Sequence, residues 1–526
     1  MKRPNFLFIM TDQLRPDHTG FGGNGMVQTP HLDRLAARSR QFARAYCPTP
    51  MCGPSRSAIM TGRMPSANGS WTNAISLEQE ANTFVRVLRQ NGYQTGLIGK
   101  AHLQDFVKRT AVKGNMLNVA QSDLMRYPPQ GEGRAVERPL PDGWDKHEQH
   151  WFHEQGYAPM PDDYYGFAHV ELALSHDDRA EGHHYYWVKE QGGDPDAFGG
   201  RANALAQFPG WQQIWRSNTP PEFYTTSFVT ERSIAYLQEA AQQDEPFFLV
   251  ASYPDPHHPF GLPDPYYSMY DPAQIPLPES FYDPQTKGMP HFKRLIAERG
   301  KDAVGPFLFS CDEAQFRMAT AVEYGAITFL DEAIGKLLQK LAELHLADDT
   351  IILFCSDHGD MFGDHGLMLK VGTHYQGATQ VPLLIAGGGI VPGKTDSLAG
   401  LLDVGRTVLD LADCQPYRGM QGCSLRPILG DETAVVRDSV LIEEGYQADF
   451  LHVGCDLAMR TVVTADARLT LYEGTAQGEL YDLKNDPLEL NNLFDEPAHR
   501  PLRLEMTEKL LREMLAHRDL SRYPAS

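Results

Sequence analysis

A short stretch of the chain places a cysteine, a proline and an arginine within five residues. Cys52 and Gly53 are followed by Pro54 and Arg56, and proline suits the first position of a helix. A helix N-terminus presents unpaired N–H groups and a partial positive charge. A guanidinium one turn later offers a planar fork of donors to a tetrahedral oxyanion. The stretch therefore predicts a nucleophile beside an anion site, although a cysteine before Gly-Pro is also typical of an ordinary turn.

Four apolar runs are followed by polar residues of types that do chemistry. Each run is short and continuous, as in strands buried on both faces of a parallel sheet. Ligands of such sheets bind outside the carboxyl ends of the strands, so we expect these polar residues to meet at one edge. The runs are 5–10, 93–98, 246–253 and 350–355, and the residues after them are Asp12, then Lys100 with His102, then His257, then Asp357 with His358.

The acids among these residues predict a site for one divalent cation. Two carboxylates brought together repel each other unless a metal or a proton joins them. Oxygen ligands from Asp12, Gln13 and Asp357 suit Ca²⁺ or Mg²⁺, and the imidazole of His358 widens the choice towards Mn²⁺. Each residue taken alone could equally be a helix cap or a surface acid.

The elements that must position these residues follow an alternating pattern. Apolar strands, with a fifth at 381–386, alternate with helices expected at 83–91, 224–243, 319–344 and 404–411 and with one that begins at Thr29-Pro30. The alternation predicts an α/β fold with a mostly parallel central sheet flanked by helices. Residues 104–221 lose this periodicity, and because a structureless loop of that length is improbable we expect insertions that carry short elements.

The last part of the chain has a different pattern of predicted elements. After about residue 435, short alternating strands and a helix near 503–517 predict a smaller α+β subdomain with an antiparallel sheet. We therefore expect a large domain over 1–435 and a C-terminal subdomain over 436–526, in keeping with a chain of 526 residues.

Composition excludes several classes of partner. The formal net charge of −21 argues against nucleic acid and anionic membranes, and no stretch approaches the roughly 20 apolar residues of a membrane span. The apolar run near the N-terminus is too short for a signal sequence. Seven cysteines, odd in number and scattered, favour a reducing compartment over a disulfide framework. The expected location is the cytoplasm.

The stretch around Cys52 resembles the signature of the sulfatase family. The pattern Cys-x-Pro-Ser-Arg-x-x-x-(Leu/Met)-Thr-Gly is matched at every fixed position between Cys52 and Gly62. Residues 479–493 resemble the family's C-terminal segment, so the resemblance runs from Asp12 to Leu493. It implies an alkaline-phosphatase-like fold and hydrolysis of a sulfate ester. It also implies that a formylglycine-generating enzyme oxidises Cys52 to formylglycine, whose hydrated aldehyde is the nucleophile.

The resemblance further implies roles for individual residues. Lys100 would hold the nucleophile's oxygen and the oxyanion, and His102 would be the base whose action releases sulfate. His257, with His258 as its rival, would contact the leaving-group oxygen together with Lys370.

The family's metal site maps onto five positions, and two further residues are weaker candidates. Asn73 and, more weakly, His374 are expected to contact the anion. The family usually binds calcium, but this chain has one acid fewer than many members, so manganese and magnesium stay open. The expected ligands are Asp12, Gln13, the modified Cys52, Asp357 and His358.

Three other functions are alternatives to a sulfatase. Relatives that hydrolyse phosphonate monoesters or phosphodiesters use the same formylglycine, but they tend to replace the Lys100 and His102 types with hydroxyl residues. A non-catalytic binding protein would be expected to lose Cys52 or Arg56, and a zinc phosphatase would need a Ser or Thr nucleophile. The sequence leaves open whether the sulfate ester is aryl, alkyl or carbohydrate, and whether the chain is a monomer or a homo-oligomer.

Overall fold

The computed structural model describes residues 3–73, 75–104, 145–149, 156–301, 307–370, 372–445 and 458–521. Residues 105–144 and 150–155 of the predicted insertion at 104–221 lie outside these residues. The part inside them does carry short elements, as expected.

Seventeen strands are present in the described residues. In chain order they are β1 (Asn5–Thr11), β2 (Ser39–Phe42), β3 (Ala45–Tyr46), β4 (Gln94–Gly99), β5 (His169–Leu172), β6 (Ala206–Gln207), β7 (Ile214–Arg216), β8 (Phe247–Ser252), β9 (Phe260–Leu262), β10 (Thr350–Ser356), β11 (Leu383–Ala386), β12 (Gly393–Thr395), β13 (Ala399–Gly400), β14 (Val440–Glu444), β15 (Met459–Val463), β16 (Ala467–Tyr472) and β17 (Gly478–Asp482).

An eight-stranded sheet forms the centre, in the order β12-β2-β11-β10-β1-β8-β4-β5. The run from β10 to β5 is parallel throughout, whereas β11 pairs antiparallel with both β10 and β2. The mostly parallel sheet predicted from the apolar runs is therefore confirmed. The four predicted strands that precede polar residues are adjacent in space.

Helices cover both faces of this sheet. They are α1 (Pro30–Ala37), α2 (Cys52–Thr61), α3 (Pro65–Asn68), α4 (Phe84–Gln90), α5 (His183–Glu190), α6 (Thr225–Ala240), α7 (Pro290–Ala297), α8 (Glu313–Glu343), α9 (Gln376–Thr379), α10 (Asp403–Leu411), α11 (Arg426–Gly430) and α12 (Arg500–Ala516). Helix α8 begins earlier than the predicted residue 319, because Asp312 and Gln315 form a capping box there.

Alternate residues of β1 explain the layered core. Leu7 and Ile9 pack into the hydrophobic cluster that includes α6 and α8, and Phe6 and Phe8 pack into the cluster that includes α4 and α10. Since successive side chains of a strand point to opposite faces, a strand without polar residues must be covered on both sides. The apolar run of β1 therefore indicates a three-layer fold, with the sheet between two layers of helices.

The C-terminal part forms the predicted antiparallel sheet, in the order β14-β15-β16-β17. Helix α12 covers it through Met506 and Leu510. No helix among the described residues is long and apolar enough to cross a membrane. The boundary at residue 435 stays a prediction.

Candidate active site

The predicted site residues meet at the carboxyl edge of the central sheet. Asp12 follows β1, and its backbone N–H donates to the carbonyl of Asp255, which follows β8, at 3.3 Å. The N–H of Asp357 donates to the carbonyl of Thr11 at 3.2 Å, and that of Lys100 to Ser252 at 3.0 Å. The ladder of the parallel sheet therefore continues past the strand ends and fixes the spacing of the residues that follow them.

Helix α2 presents Cys52 to this edge. The helix begins at Cys52 itself, so Pro54 is its third residue rather than the predicted first. A proline is tolerated throughout the first turn, where the missing N–H has no partner within the helix. The N–H of Gly53 donates to Asn73 Oδ1 at 3.0 Å. A Cβ at Gly53 would lie 3.2 Å from both that oxygen and His102 Nε2, which places Asn73 and His102 beside Cys52.

The Cys52 thiol is surrounded by charged and ionisable groups. Its Sγ lies 3.1 Å from His358 Nε2, 3.7 Å from Asp12 Oδ1 and 3.9 Å from His257 Nε2. Burial and the carboxylate of Asp12 raise the pKa of this thiol, but Lys100, Lys370 and His358 lower it by more, and the net pKa falls below its usual value. The thiol sits where the surroundings favour negative charge.

Two buried carboxylates beside Cys52 each have one oxygen held by a cation. Lys100 Nζ bonds to Asp12 Oδ2, and Arg56 Nε bonds to Asp357 Oδ2 at 2.7 Å. The other oxygens, Asp12 Oδ1 and Asp357 Oδ1, lie 3.3 and 3.6 Å from His358 Nε2. The carboxylates are thus turned so that one oxygen of each faces a common point.

The donor set at that point fits a divalent cation. His358 Nδ1 donates to the carbonyl of Gly359 at 2.9 Å, so Nε2 is the ring atom that faces the carboxylates. Burial lowers the pKa of His358, but Asp357, Cys52 and Asp12 raise it to about 10. The negative surroundings that raise this pKa would also favour a cation beside Nε2. The donor atoms of Asp12, Cys52, Asp357 and His358 all lie within 4.8 Å of one another.

The guanidinium of Arg56 is mostly bound to the protein. Besides Asp357, it donates from Nη1 to the carbonyl of Lys100 at 2.9 Å and to Ser252 Oγ at 2.8 Å. Nη2 lies 3.7 Å from Asp12 Oδ2. The sequence predicts a fork that faces an oxyanion, whereas in the structure the fork mainly orients Asp357 and the end of β4.

A second group of nitrogens lies on the other side of Cys52. Lys370 Nζ is 2.6 Å from His257 Nε2 and donates to Gln13 Oε1 at 2.5 Å. The Gln13 amide nitrogen is 3.0 Å from His258 Nδ1. Gln13 is therefore at the site, but its side-chain oxygen faces Lys370, and its role as a metal ligand stays a prediction. The rings of His257 and His258 are stacked, with their centroids 4.1 Å apart, so His258 packs against one face of the His257 imidazole.

His176 is a site residue that the sequence analysis missed. It lies after the edge strand β5, and its Nε2 contacts Lys100 Nζ and is 3.7 Å from Asp12 Oδ2. Its ring stands 4.4 Å from that of His257. The signal was available in principle, because β5 is a fifth parallel strand with a histidine beyond its end. Its four residues, His-Val-Glu-Leu, lack the continuous apolar run of the other strands.

His374 is placed differently from the other predicted residues. Its Nδ1 is 2.7 Å from Thr461 Oγ1 and its Nε2 is 3.4 Å from Glu444 Oε2. These partners belong to the C-terminal sheet, and the described contacts do not link His374 with Cys52. Its role as an anion contact stays a prediction.

Comparison with known proteins identifies relatives over almost the whole chain. The family described as Sulfatase matches residues 4–414, and the one described as N-sulphoglucosamine sulphohydrolase, C-terminal, matches 363–516. An arylsulfatase of Clostridium perfringens is 28% identical over 527 residues, covering 98% of this chain and 95% of its own. A choline-sulfatase of Rhizobium meliloti is 26% identical over 508 residues, covering 94% and 83%. The crystal structure of a phosphonate monoester hydrolase of Agrobacterium radiobacter superposes with a TM-score of 0.74 at 23% identity, covering 98% and 96%.

Proposed function

This chain belongs to the sulfatase family, and from that premise we propose that it hydrolyses a small-molecule sulfate ester with a nucleophile derived from Cys52 and a divalent cation held beside it. Membership of this family makes the protein a sulfuric ester hydrolase. The observation that carries the proposal is the cluster of Cys52, Asp12, Asp357 and His358 within 4.8 Å. A hydrated aldehyde formed from Cys52 would supply the attacking oxygen, and a cation held by Asp12, Asp357 and His358 would lower the pKa of that oxygen.

Two lysines around Cys52 supply positive charge for the transition state. The ammonium groups of Lys100 and Lys370 both lie in hydrogen-bond contact with groups around Cys52. Charges that are already oriented stabilise a developing oxyanion without having to reorganise. Arg56 acts less directly, because its donors hold Asp357 and the backbone at Lys100.

Lys370 is the proton source for the departing alkoxide in this arrangement. His257 Nδ1 donates to the carbonyl of His258, so its Nε2 accepts from Lys370. Burial and the nearby ammonium of Lys370 hold the pKa of His257 well below its usual value, which keeps the ring neutral. The proton can therefore pass from Lys370 to the leaving oxygen directly or through His257 Nε2.

His102 is suited to accept a proton on the nucleophile's side. Burial lowers its pKa, Lys100 and His176 lower it further, and the imidazole is neutral near pH 7. Its Nε2 lies against Gly53, next to Cys52. A neutral imidazole at this position can take the proton whose loss allows sulfate to leave.

The metal that we propose is calcium, with manganese and magnesium as the alternatives. Carboxylate oxygens from Asp12 and Asp357 suit calcium, whereas the His358 nitrogen is a ligand that manganese accepts more readily. Metal-free protein titrated separately with each ion, with binding followed by calorimetry, will rank them.

Hydrolysis of a phosphonate monoester is the second candidate function. It is favoured by the likeness of this chain to a phosphonate monoester hydrolase from Silicibacter pomeroyi, whose structure superposes with a TM-score of 0.72 at 25% identity over 99% of this chain and 96% of its own. The retention of Lys100 and His102 favours sulfate, since both lie in the site. Paired assays with a sulfate ester and a phosphonate monoester on the same aryl alcohol will decide between them.

The experiment that tests the proposed nucleophile is the mass of the tryptic peptide 45–56. The protein should be produced together with a formylglycine-generating enzyme. Cys47 lies in the same peptide and is buried, so it is an internal control that should stay a thiol. We expect Cys52 to be found as the aldehyde or its hydrate. A thiol at Cys52 in active protein would overturn the proposal.

A further inference from the structure

A buried carboxylate outside the metal-ligand cluster holds the loop that carries His102. Glu148 is 2% exposed. Its Oε2 accepts from the backbone N–H of His102 at 2.5 Å, and its Oε1 accepts from those of Leu103 at 2.8 Å and Gln104 at 2.7 Å. The hydroxyl of Tyr164 also donates to Oε1. Four donors therefore converge on one side chain, three of them successive backbone groups.

The loop needs such an anchor because its conformation is strained. His102 has a φ of 52°, in the left-handed region that is strained for a residue other than glycine. The loop follows β4, where Lys100 is held by Ser252, and the carbonyl of Leu103 accepts from Leu77 at 2.8 Å. Neither of these bonds fixes the peptide at His102. Glu148 does, because its carboxylate accepts from the N–H groups of three successive residues.

We propose that Glu148 is a positioning residue for the reaction: it sets the backbone of residues 102–104 so that the His102 imidazole stays against the Cys52 helix. The inference rests on the proposed function, since it takes His102 as the base. It adds that the base is oriented by the segment between β4 and β5 rather than by the sheet.

The carboxylate is the side chain that this position requires. It has two oxygens, which can accept up to about four hydrogen bonds, and no donor of its own. In Glu148→Gln the amide NH₂ would replace one oxygen and face backbone donors, so at least one N–H would lose its acceptor. The substitution keeps the size of the side chain, and it therefore removes the anchor with little change in packing.

The first test measures the loop itself and does not depend on turnover. Hydrogen exchange followed by mass spectrometry should show faster exchange at the amides of residues 102–104 in Glu148→Gln than in the wild type. The amides of β4 and β8 should be unchanged and are the internal reference. Unchanged exchange at residues 102–104 would overturn the proposal. Glu148→Asp, which keeps the charge but is too short to reach all three donors, should show a smaller effect and replaces Glu148→Gln if that variant does not fold.

The second test asks whether the anchor acts through His102. We expect Glu148→Gln to lower kcat roughly 10- to 100-fold, as for a catalytic group moved by about 1 Å, with KM within about twofold. In a His102→Ala background the same substitution should cause no further loss, because the two residues act as one unit. Losses that multiply would mean that Glu148 only supports the fold, and would overturn the positioning role.

Tyr164→Phe is the matched control for both measurements. It removes one hydrogen bond from the same carboxylate and leaves the three backbone donors in place, so kcat should stay within about threefold of the wild type and exchange at residues 102–104 should not change. If Cys52 proves to be a thiol and the wild type has no sulfatase activity, the proposed function fails. The exchange measurement then still decides whether Glu148 anchors the loop.

Discussion

Two buried clusters of charged residues in this protein have similar components but differ in how their carboxylate oxygens are hydrogen-bonded. At the catalytic edge, Asp12 and Asp357 stand against Arg56 and Lys100. In the C-terminal part, Arg468 stands between two fully buried acids, Glu479 and Glu489. Both clusters combine carboxylates with cations away from water. The difference lies in what the remaining carboxylate oxygens face.

In the C-terminal cluster, neutral donors take up the oxygens. Tyr472 and Tyr481 donate to Glu479 at 2.6 and 3.2 Å, and the N–H of Gln376 donates to Glu489 at 2.8 Å. At the catalytic edge, Asp12 Oδ1 faces His358 and the Cys52 thiol instead. Buried charges that are fully hydrogen-bonded hold a structure together. Charges that face one another across a common point are arranged for a ligand.

The largest effect should come from removing the nucleophile. We expect Cys52→Ala to lower kcat at least about 10⁴-fold and to change the free energy of unfolding by only about 1 kcal/mol, because a small side chain is lost. Cys47→Ala is the matched control, since that thiol is buried and makes only a weak contact with the carbonyl of Ala378. Kinetics with an aryl sulfate and urea unfolding of both variants measure the two quantities. Substantial turnover by Cys52→Ala would contradict the assignment.

Removal of the metal should have the next largest effect, and only on the catalytic cluster. A chelator should reduce turnover by on the order of 10³-fold, as expected for a lost Lewis acid worth several kcal/mol. Adding the metal back should restore activity and raise the melting temperature, because the folded state binds the ion. In Asp357→Asn the melting temperature should no longer respond to the metal. A chelator-insensitive enzyme would show that the two carboxylates do not hold an ion.

Breaking the C-terminal cluster should cost stability and leave the chemistry alone. Arg468→Met leaves Glu479 and Glu489 buried without their cation, which should cost about 3–5 kcal/mol. The double variant Arg468→Met with Glu489→Gln should recover part of this, because one of the unpaired charges is gone. Denaturant unfolding measures the loss, and kcat per folded molecule should stay near the wild-type value. A fall in kcat without a fall in stability would contradict the prediction, because it would mean that the C-terminal cluster contributes to catalysis.

A smaller, pH-dependent effect on folding stability is expected at Glu444. Burial raises the pKa of this carboxyl from 4.5 to about 8, and the Gly372 N–H, which donates to it, lowers the pKa only partly. Between these pH values the folded chain holds a proton that the unfolded chain has lost. The stabilisation present below about pH 4.5 is therefore lost as the pH rises towards 8.

The variant Glu444→Gln should remove that dependence. Melting temperatures across pH 5–8 should then fall less steeply for the variant than for the wild type. His374 Nε2 lies 3.4 Å from Glu444 Oε2, so His374→Gln is the control for a contribution from the imidazole. Parallel curves for Glu444→Gln and the wild type would mean that Glu444 does not titrate in this range.

The four strand ends show how far sequence reasoning reaches. A buried parallel strand has to be apolar throughout, so β1, β4, β8 and β10 were visible, and the rule that ligands bind at their carboxyl ends then placed Asp12 and Asp357 together. The order of the strands was not needed for that inference. It required only that the strands be parallel.

The residues that escaped prediction act through features that a sequence pattern does not carry. His176 comes from a strand of only four residues with a polar residue in the middle. Glu148 acts on backbone N–H groups, for which no particular partner residue is required. The Arg56 fork likewise donates to a main-chain group, the carbonyl of Lys100, and its role toward an oxyanion stays a prediction. Main-chain partners are fixed by tertiary structure alone.

The position of β5 at the edge of the central sheet makes this part of the molecule exchangeable. Strand β5 pairs only with β4 among the described strands, so the segment that follows β5 could be exchanged without breaking the ladder that orders Asp12 and Asp357. Since His176 arrives by this route, such an exchange would change what lies beside the Lys100 ammonium and leave Cys52 in place. For an engineer, the segment after this edge strand is a point at which the surroundings of the Lys100 ammonium can be changed while β1, β8 and β10 stay as they are.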